Sequence, residues 1–546
     1  MHPPSIDPAN PNPEKSLADW IRLVLQALIF LGLLLLAFQW RSILDAIQRV
    51  ARLDWLWLLA CSGFFLFLTL LGGSKVPGWI NSHGYELLRD VLQVPPTSPD
   101  PHGQAWHALH GLFMFLLPRT EASVLIVQIG MAALCIPLIY ALVRILFDRR
   151  DLARMSALVL AVLPSFAWYA FSEVRPIPGL TFSLLALCVL GLALRVGRLS
   201  SWLSASLLGF VATQFYPVFM LLPLPALLLL LNQRRRLGVK LTWRFWTSAA
   251  LFSSLWLLPV FWISYLLRTG QGIVGPDFFW VLARGYHVLL PDFSEFTSFS
   301  GNIWFNHRFT PLILTIASVL GLLLALRRRV WHGSLLTIFG LALLFTLPGL
   351  VSGGMNPARL QLAAQPFYVI LAAAGLIFAA DLVPLRSSVM QLALALLVCL
   401  SLIWHPGPIG QTFTPQLERR LFSQGLEQVP ESALVVWPPH ASGGVNPLPT
   451  YLFNYKSLRG ATLSGGFAKR FATEENSIVY YRPSSCYLDQ NMAFDCAGLE
   501  AKLELEPLYL RSLPVRSDYM QDYRKDDKGL IEIGFFRLKG LKVMAR

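Results

Sequence analysis

Charge is what this chain has least of. Only 14% of its 546 residues are Asp, Glu, Lys or Arg, and 55% are hydrophobic. A soluble globular domain carries about 25% charged residues, so an ordinary soluble enzyme is excluded. Cysteine is scarce too, with six residues. No His/Cys cluster has metal-ligand spacing, so no metal site and no bound cofactor are expected, and a divalent metal is not indicated. A Walker motif is absent, which argues against an ATP-driven pump. The apolar runs do not alternate with polar residues, which leaves helices rather than a closed barrel to cross a membrane. The opening "MHPPSIDPANPNPEKSLADW" lacks the features of a cleavable signal peptide, so the first apolar run reads as a retained span.

What the chain does have is long apolar runs, repeated to residue 404, such as "LVLQALIFLGLLLLAF" and "LLALCVLGLALR". The mean hydropathy is +0.54. A membrane helix needs about 20 apolar residues. Spans are expected near 20–40, 55–73, 122–146, 153–170, 176–195, 201–214, 217–231, 245–267, 309–326, 334–350, 361–380 and 388–404, about twelve in all. Residues 201–231 could instead form one kinked helix, although Pro217 splits them naturally.

The net charge of +14 does not indicate nucleic acid. The basic residues cluster in short links between spans, as in "RILFDRRDLAR" and "RRRLGVK", and no basic patch is interleaved with stacking aromatics. Basic links mark the cytoplasmic side. Residues 74–121 and 268–308 then become long outer loops on a transmembrane domain of 20–404, preceded by a polar tail of 1–19. "GYELLRDVLQV" and "GQAWHALHGLFMFLLP" in the first loop read as helices lying at the membrane surface. His102, His107 and His110 do not share a metal-binding face.

After residue 404 charged and polar residues return to ordinary proportion. "PQLERRLFSQGLEQV" reads as a helix, and "SALVVWP", "SIVYYR" and "LIEIGFFRL" read as strands. Residues 405–546 are therefore expected to form a soluble α/β domain outside the cytoplasm. Cys486 and Cys496 lie in it, and a disulfide between them would need an oxidising compartment.

Within this apolar background, "SEVRP" holds Glu173 and Arg175 between two spans. Charges beside lipid are costly and are usually kept for function, although short outer turns also carry solvated pairs. Its surroundings resemble the C-type (GT-C) integral-membrane glycosyltransferase superfamily, in the branch of protein O-mannosyltransferases and lipid A aminoarabinose transferases. "LPSFAWYAFSEVRPIPGLTFSLLAL" is similar to a segment in which a span ends in a Ser-x-Glu-Ala-Arg-Pro-Tyr type motif. Glu173, Arg175 and Pro176 match, and Ile177 replaces the tyrosine. "LCIPLIYALVRILFDRRDLARMSALVLAVLP" is similar to the family's span, basic turn and following span. "PDPHGQAWHALHGLFMFLLP" stands where the family has His-Pro-Pro-Leu, and His102 alone matches. "NPARLQLAAQPFYVILAAAGL" is similar to a late Arg-to-Pro segment, with Arg359 and Pro366 matching. The resemblance is spread over most of the chain, and order and spacing carry it.

The resemblance implies a helical polytopic membrane protein with a C-terminal soluble domain, in the plasma (inner) membrane. Its implied partners are membrane lipid, a polyprenyl-phosphate-linked sugar donor as co-substrate, and a glycan, lipid or protein acceptor. Arg175 and Arg359 would hold the anionic phosphate, since arginine's planar fork matches phosphate oxygens. Glu173 and His102 would complete the binding of phosphate or sugar. The family's acidic pair in the first outer loop is replaced in "WINSHGYELLRD" by Ser82 and His83. A general base could come from His83, Glu86 or Asp90, the last two lying one helical turn apart. The alternatives are a non-catalytic relative that binds a lipid-linked saccharide, and a transporter or flippase of such a lipid. A transporter would want polar residues at midmembrane, where these spans have almost none.

Overall fold

A chain in lipid must satisfy its backbone polar groups internally, and the apolar runs do so as helices. The computed structural model describes residues 54–75, 105–172, 175–196, 199–232, 242–253, 303–305, 309–327, 332–351, 361–381, 395–400, 414–439, 460–462, 478–487, 495–514 and 528–541, with isolated positions between them. The helices are α1 (Trp55–Lys75), α2 (Ala105–Phe113), α3 (Glu121–Phe147), α4 (Arg150–Val162), α5 (Pro164–Ala170), α6 (Pro176–Val196), α7 (Leu199–Phe215) and α8 (Pro223–Asn232). They continue as α9 (Leu312–Arg327), α10 (His332–Val351), α11 (Gln365–Asp381) and α12 (Thr414–Leu426). Residues 243–253 are also helical.

Among the described residues, three helical stretches are long and apolar enough to cross a membrane: Glu121–Phe147, Pro176–Ala193 and Leu362–Asp381. The protein is an integral membrane protein. The expected spans at 20–40, most of 388–404 and the later part of 245–267 lie outside the described residues. Two expected spans differ from their reading: 217–231 is a 3-10 turn followed by a helix of only ten residues, and 153–170 is broken. The run 153–170 is bent by 60° between α4 and α5. Pro164 lacks an N–H and cannot continue the helical ladder, so it opens α5 instead. At Pro217 the expected split occurs, and a 3-10 turn (Pro217–Leu221) separates α7 from α8.

Local chemistry sets the ends of α3. Thr120 caps it by accepting the Ser123 N–H at 3.3 Å, and Glu121 opens its first turn, where a negative charge suits the helix dipole. Asp148 ends it in the left-handed conformation at φ 54°, a site that asparagine and aspartate tolerate better than most residues.

Lipid offers no hydrophobic driving force between helices, so close packing and interhelical hydrogen bonds hold them. The Thr181 hydroxyl donates to the Met131 carbonyl at 2.8 Å, and the Cys188 thiol to the Leu138 carbonyl at 3.4 Å. Both pairs are offset by 50 residues, so α3 and α6 run parallel in constant register. Between α9 and α11, glycines bring backbones together. A Cβ at Gly321 would stand 2.0 Å from the Leu371 carbonyl oxygen, and one at Gly375 only 1.9 Å from that of Ala317.

At one end of the bundle, buried Asp54 joins α1 to α3 and α4. Arg150 donates to it through Nε at 2.9 Å and Nη2 at 2.6 Å. Arg154 adds its Nε at 2.8 Å, and the Tyr140 hydroxyl also donates. Burial pushes the Asp54 carboxyl up, but the hydrogen bonds from Arg150, Tyr140 and Arg154 outweigh it and bring it down to about 2. The Trp57 indole N–H donates to the Arg154 carbonyl at 3.1 Å and closes the cluster.

The C-terminal strands form one five-stranded sheet in the order β2-β1-β3-β5-β4. They are β1 (Leu434–Trp437), β2 (Gly460–Thr462), β3 (Ile478–Arg482), β4 (Leu503–Pro514) and β5 (Leu530–Leu541). β1 pairs in parallel with β2 and β3, and β5 pairs antiparallel with β3 and β4. β4 escapes the sequence reading because charges and Pro507 interrupt its pattern. An edge strand accommodates a proline at an irregularity, and the register shifts between Pro507 and Tyr509. The expected disulfide is present: Cys486 joins Cys496 at the start of α13 (Cys496–Glu500). The apolar core runs unbroken from the helices into the sheet unit through Phe422, Val435, Tyr481 and Phe535.

Candidate functional site

The opposite end of the bundle from Asp54 gathers the starts of α3, α6 and α11 and the end of α5. The sequence makes it so: α3 descends, α4 and α5 return, and a short turn delivers Arg175 to the head of α6. Ser172 is buried there and its hydroxyl donates to the Tyr169 carbonyl at 2.9 Å. The Arg175 carbonyl accepts the Gly179 N–H at 3.4 Å, and its side chain is half-buried. Extending the α3–α6 register by six residues sets Arg175 level with Leu125, one turn below Glu121.

The entry to α11 closes on the same place. A 3-10 turn (Leu362–Ala364) packs against α6. Buried Gln361 accepts the Ile303 N–H at 2.7 Å through Oε1. Gln365 donates from Nε2 to the Ser165 hydroxyl of α5 at 2.8 Å. Each of these buried hydrogen bonds ties the entry of α11 to a neighbouring segment, and breaking one would strand a further buried polar group. These contacts anchor the entry to α11 beside α5 and α6.

α2 packs on α3 and α7 at this end. Its His110 is fully buried, with its ring 4.2 Å from that of Trp106. Burial and the neighbouring His107 push the His110 imidazole down to about 3, so it is neutral at physiological pH. Among the described residues no group of three His, Cys, Asp or Glu side chains could hold a metal.

Of the residues expected at the site, Arg175 is described and stands at this end. Glu173, Arg359, His102, His83, Glu86 and Asp90 lie outside the described residues. Sequence reasoning missed one connection. Arg419 of α12 forks onto Glu121 at the head of α3, Nη1 to Oε2 and Nη2 to Oε1, both at 2.8 Å. The chain separates the two by 298 residues, and neither lies in a motif.

Arginine at the head of a helix near the lipid boundary can neutralise an anionic group that cannot leave the membrane. The buried amides behind it hold the helix ends rigid. Residues 101–262, which include α2 to α8 and Arg175, match the family of dolichyl-phosphate-mannose-protein mannosyltransferases. No curated protein matches the chain. Among solved structures, ArnT from Cupriavidus metallidurans in the apo state is similar in fold. Its TM-score is 0.50 at 12% identity, over 87% of this chain and 97% of that one. The same protein bound to undecaprenyl phosphate gives 0.51 at 13% identity, over 88% and 98%. The chain is thus similar in sequence, over residues 101–262, to the dolichyl-phosphate-mannose-protein mannosyltransferase family, and similar in fold to ArnT over most of its length.

Proposed function

We infer that the protein is a membrane glycosyltransferase that moves a sugar from a polyprenyl-phosphate-linked donor to an acceptor on the outer face of the membrane. The observation that carries this reading is half-buried Arg175, at a bundle end built from the family-matched segment. The structure of ArnT with undecaprenyl phosphate supports a lipid-phosphate donor. The chain would have about twelve spans, with 405–546 as an extracytoplasmic α/β domain, in the inner membrane. The basic residues at the Asp54 end support that end as cytoplasmic.

In this mechanism the acceptor oxygen or nitrogen bonds to the anomeric carbon as the bond from that carbon to the phosphate oxygen breaks. The electron pair leaves on phosphate, where Arg175 and Arg359 offset the developing charge. The acceptor proton goes to a base drawn from Glu86, His83 or Asp90. Glu173 orients Arg175 or a sugar hydroxyl, and His102 contributes to the donor pocket. The configuration inverts.

The test is transfer from labelled polyprenyl-phosphate sugars by purified protein in lipid. Arg175→Ala should lower kcat/KM by roughly 10²–10³-fold. Unchanged turnover in both Arg175→Ala and Glu173→Ala would sink the assignment. The replacement of the acidic pair by Ser82 and His83 favours a second reading, a non-catalytic relative. Tight donor binding without transfer to any acceptor would select it.

A further inference from the structure

We propose that Arg419 is a positioning residue for the site, and that the C-terminal sheet unit sets the geometry of the membrane site through it. This rests on the reading of Arg175 as the phosphate-binding cation.

The path has few steps, and each is a short contact. Adjacent residues of α12 reach in two directions. Glu418 turns into the sheet unit, where it is buried. It accepts the Tyr481 hydroxyl at 2.7 Å, the Ser484 N–H at 3.0 Å and the Ser484 hydroxyl. Two residues after Ser484, the disulfide fixes the same turn to α13. α12 is therefore held firmly against the sheet. Arg419 points the other way and grips Glu121 with both arms of its guanidinium. The pair is only partly solvated, its side chains 28% and 20% exposed, and two-point pairing fixes orientation as well as distance.

Glu121 is the first residue of α3. From there the register runs into α6. The Thr181–Met131 and Cys188–Leu138 bonds lock the two helices side by side, with Arg175 one turn below Glu121. A shift of the α3 head carries the α6 head with it. Small displacements matter at such a site, since misplacing a reacting group by about 1 Å can cost roughly 10²-fold. Neither Arg419 nor Glu121 need touch the donor.

The experiment compares Arg419→Gln, Glu121→Gln and the double variant, as full-length protein in lipid nanodiscs. Three quantities are read: amide hydrogen exchange in 121–125 and 176–181, affinity for undecaprenyl phosphate, and the KM and kcat of transfer. Each single variant should speed exchange in both segments by roughly 10-fold. Each should also weaken undecaprenyl phosphate and raise the donor KM by roughly 10-fold, with kcat much less affected. The double variant should match the singles, because both remove one interaction. Exchange that quickens at 121–125 but not at 176–181, or additive losses in the double variant, would overturn the proposal. So would a fall in melting temperature with exchange at 176–181 and lipid-phosphate affinity unmoved, which is a merely structural role. A wild-type protein that neither binds undecaprenyl phosphate nor transfers sugar refutes the function proposed above, and the exchange data still decide the linkage between Arg419 and α6.

Discussion

Asp54→Asn removes one charge and almost no volume, which makes it a clean test of the cluster at the other end of the bundle. The wild-type carboxyl is brought from 3.8 to about 2 by its hydrogen bonds from Arg150, Tyr140 and Arg154, against the effect of burial. At about 1.4 kcal/mol per unit this corresponds to about 2 kcal/mol of stability. Removing one member of a buried pair costs about 3–5 kcal/mol. Here the Arg150 and Arg154 side chains are 41% and 31% exposed, so water screens the stranded cations and the lower end applies. The expected loss at pH 7 is about 2–3 kcal/mol. The sign with pH follows from the lowered value. The contribution is complete above the unfolded pKa of about 3.9 and disappears as pH falls through about 2. Denaturant-driven unfolding in mixed micelles, followed by tryptophan fluorescence, reads both. Wild type should lose this increment between about pH 4 and pH 2, and Asp54→Asn should lack that loss. A variant within about 0.5 kcal/mol of wild type, or one with the same acid profile, would refute the reasoning.

Other expectations are as direct. Gly375→Val puts a branched side chain where even a Cβ lies 1.9 Å from the Ala317 carbonyl oxygen. The α9–α11 pair must then separate, and the yield of monodisperse protein in detergent should collapse, whereas Gly340→Ala, with nothing within 4 Å, should not change it. Burial raises the Glu418 carboxyl above its ordinary value, though Ser484 and Tyr481 oppose the shift. A raised carboxyl favours the protonated folded form, so the sheet unit should gain stability as pH falls from neutral toward about 4.5. Glu418→Gln should flatten that dependence in thermal melts, and Glu418→Ala, which strands its donors, should be markedly less stable at every pH. Cys486→Ser opens a loop of 10 residues and should cost about 3 kcal/mol by chain entropy, read as an earlier unfolding step of the sheet unit.

The scaffold was largely legible because membrane helices announce themselves by continuous apolar length. The bend at Pro164 was not. In "AVLPSF" only the small Ser165 follows the proline, and the apolar run resumes at once. "QFYPVF" differs by its polar flank, and there the split was read. α12, the β1, β3 and β5 segments and the disulfide followed from local pattern, while β4 was hidden by its charges and Pro507. At the site, Arg175 stood out because charge beside lipid is expensive. Asp54 and Glu121 did not, since each looks like an ordinary boundary residue. Their meaning lies in arginines about 100 and 298 residues away, a distance over which sequence pattern carries no signal.

The bond between Gln365 and Ser165 bears on how the protein is made. The two residues are 200 positions apart in the chain. The α4–α5 stretch enters the membrane as one apolar segment, and α5 has only seven residues, too few to hold itself as a helix without a neighbour. At roughly 5–20 residues per second, Gln365 emerges some 10–40 s later. The nascent chain therefore spends over a third of its synthesis with Ser165 lacking its Gln365 partner. Until then α5 rests on α1 and α3, with Phe166 against Phe65, and truncations that stop before α11 should leave Ser165 more accessible to cysteine-directed labelling as Ser165→Cys than in the full-length chain.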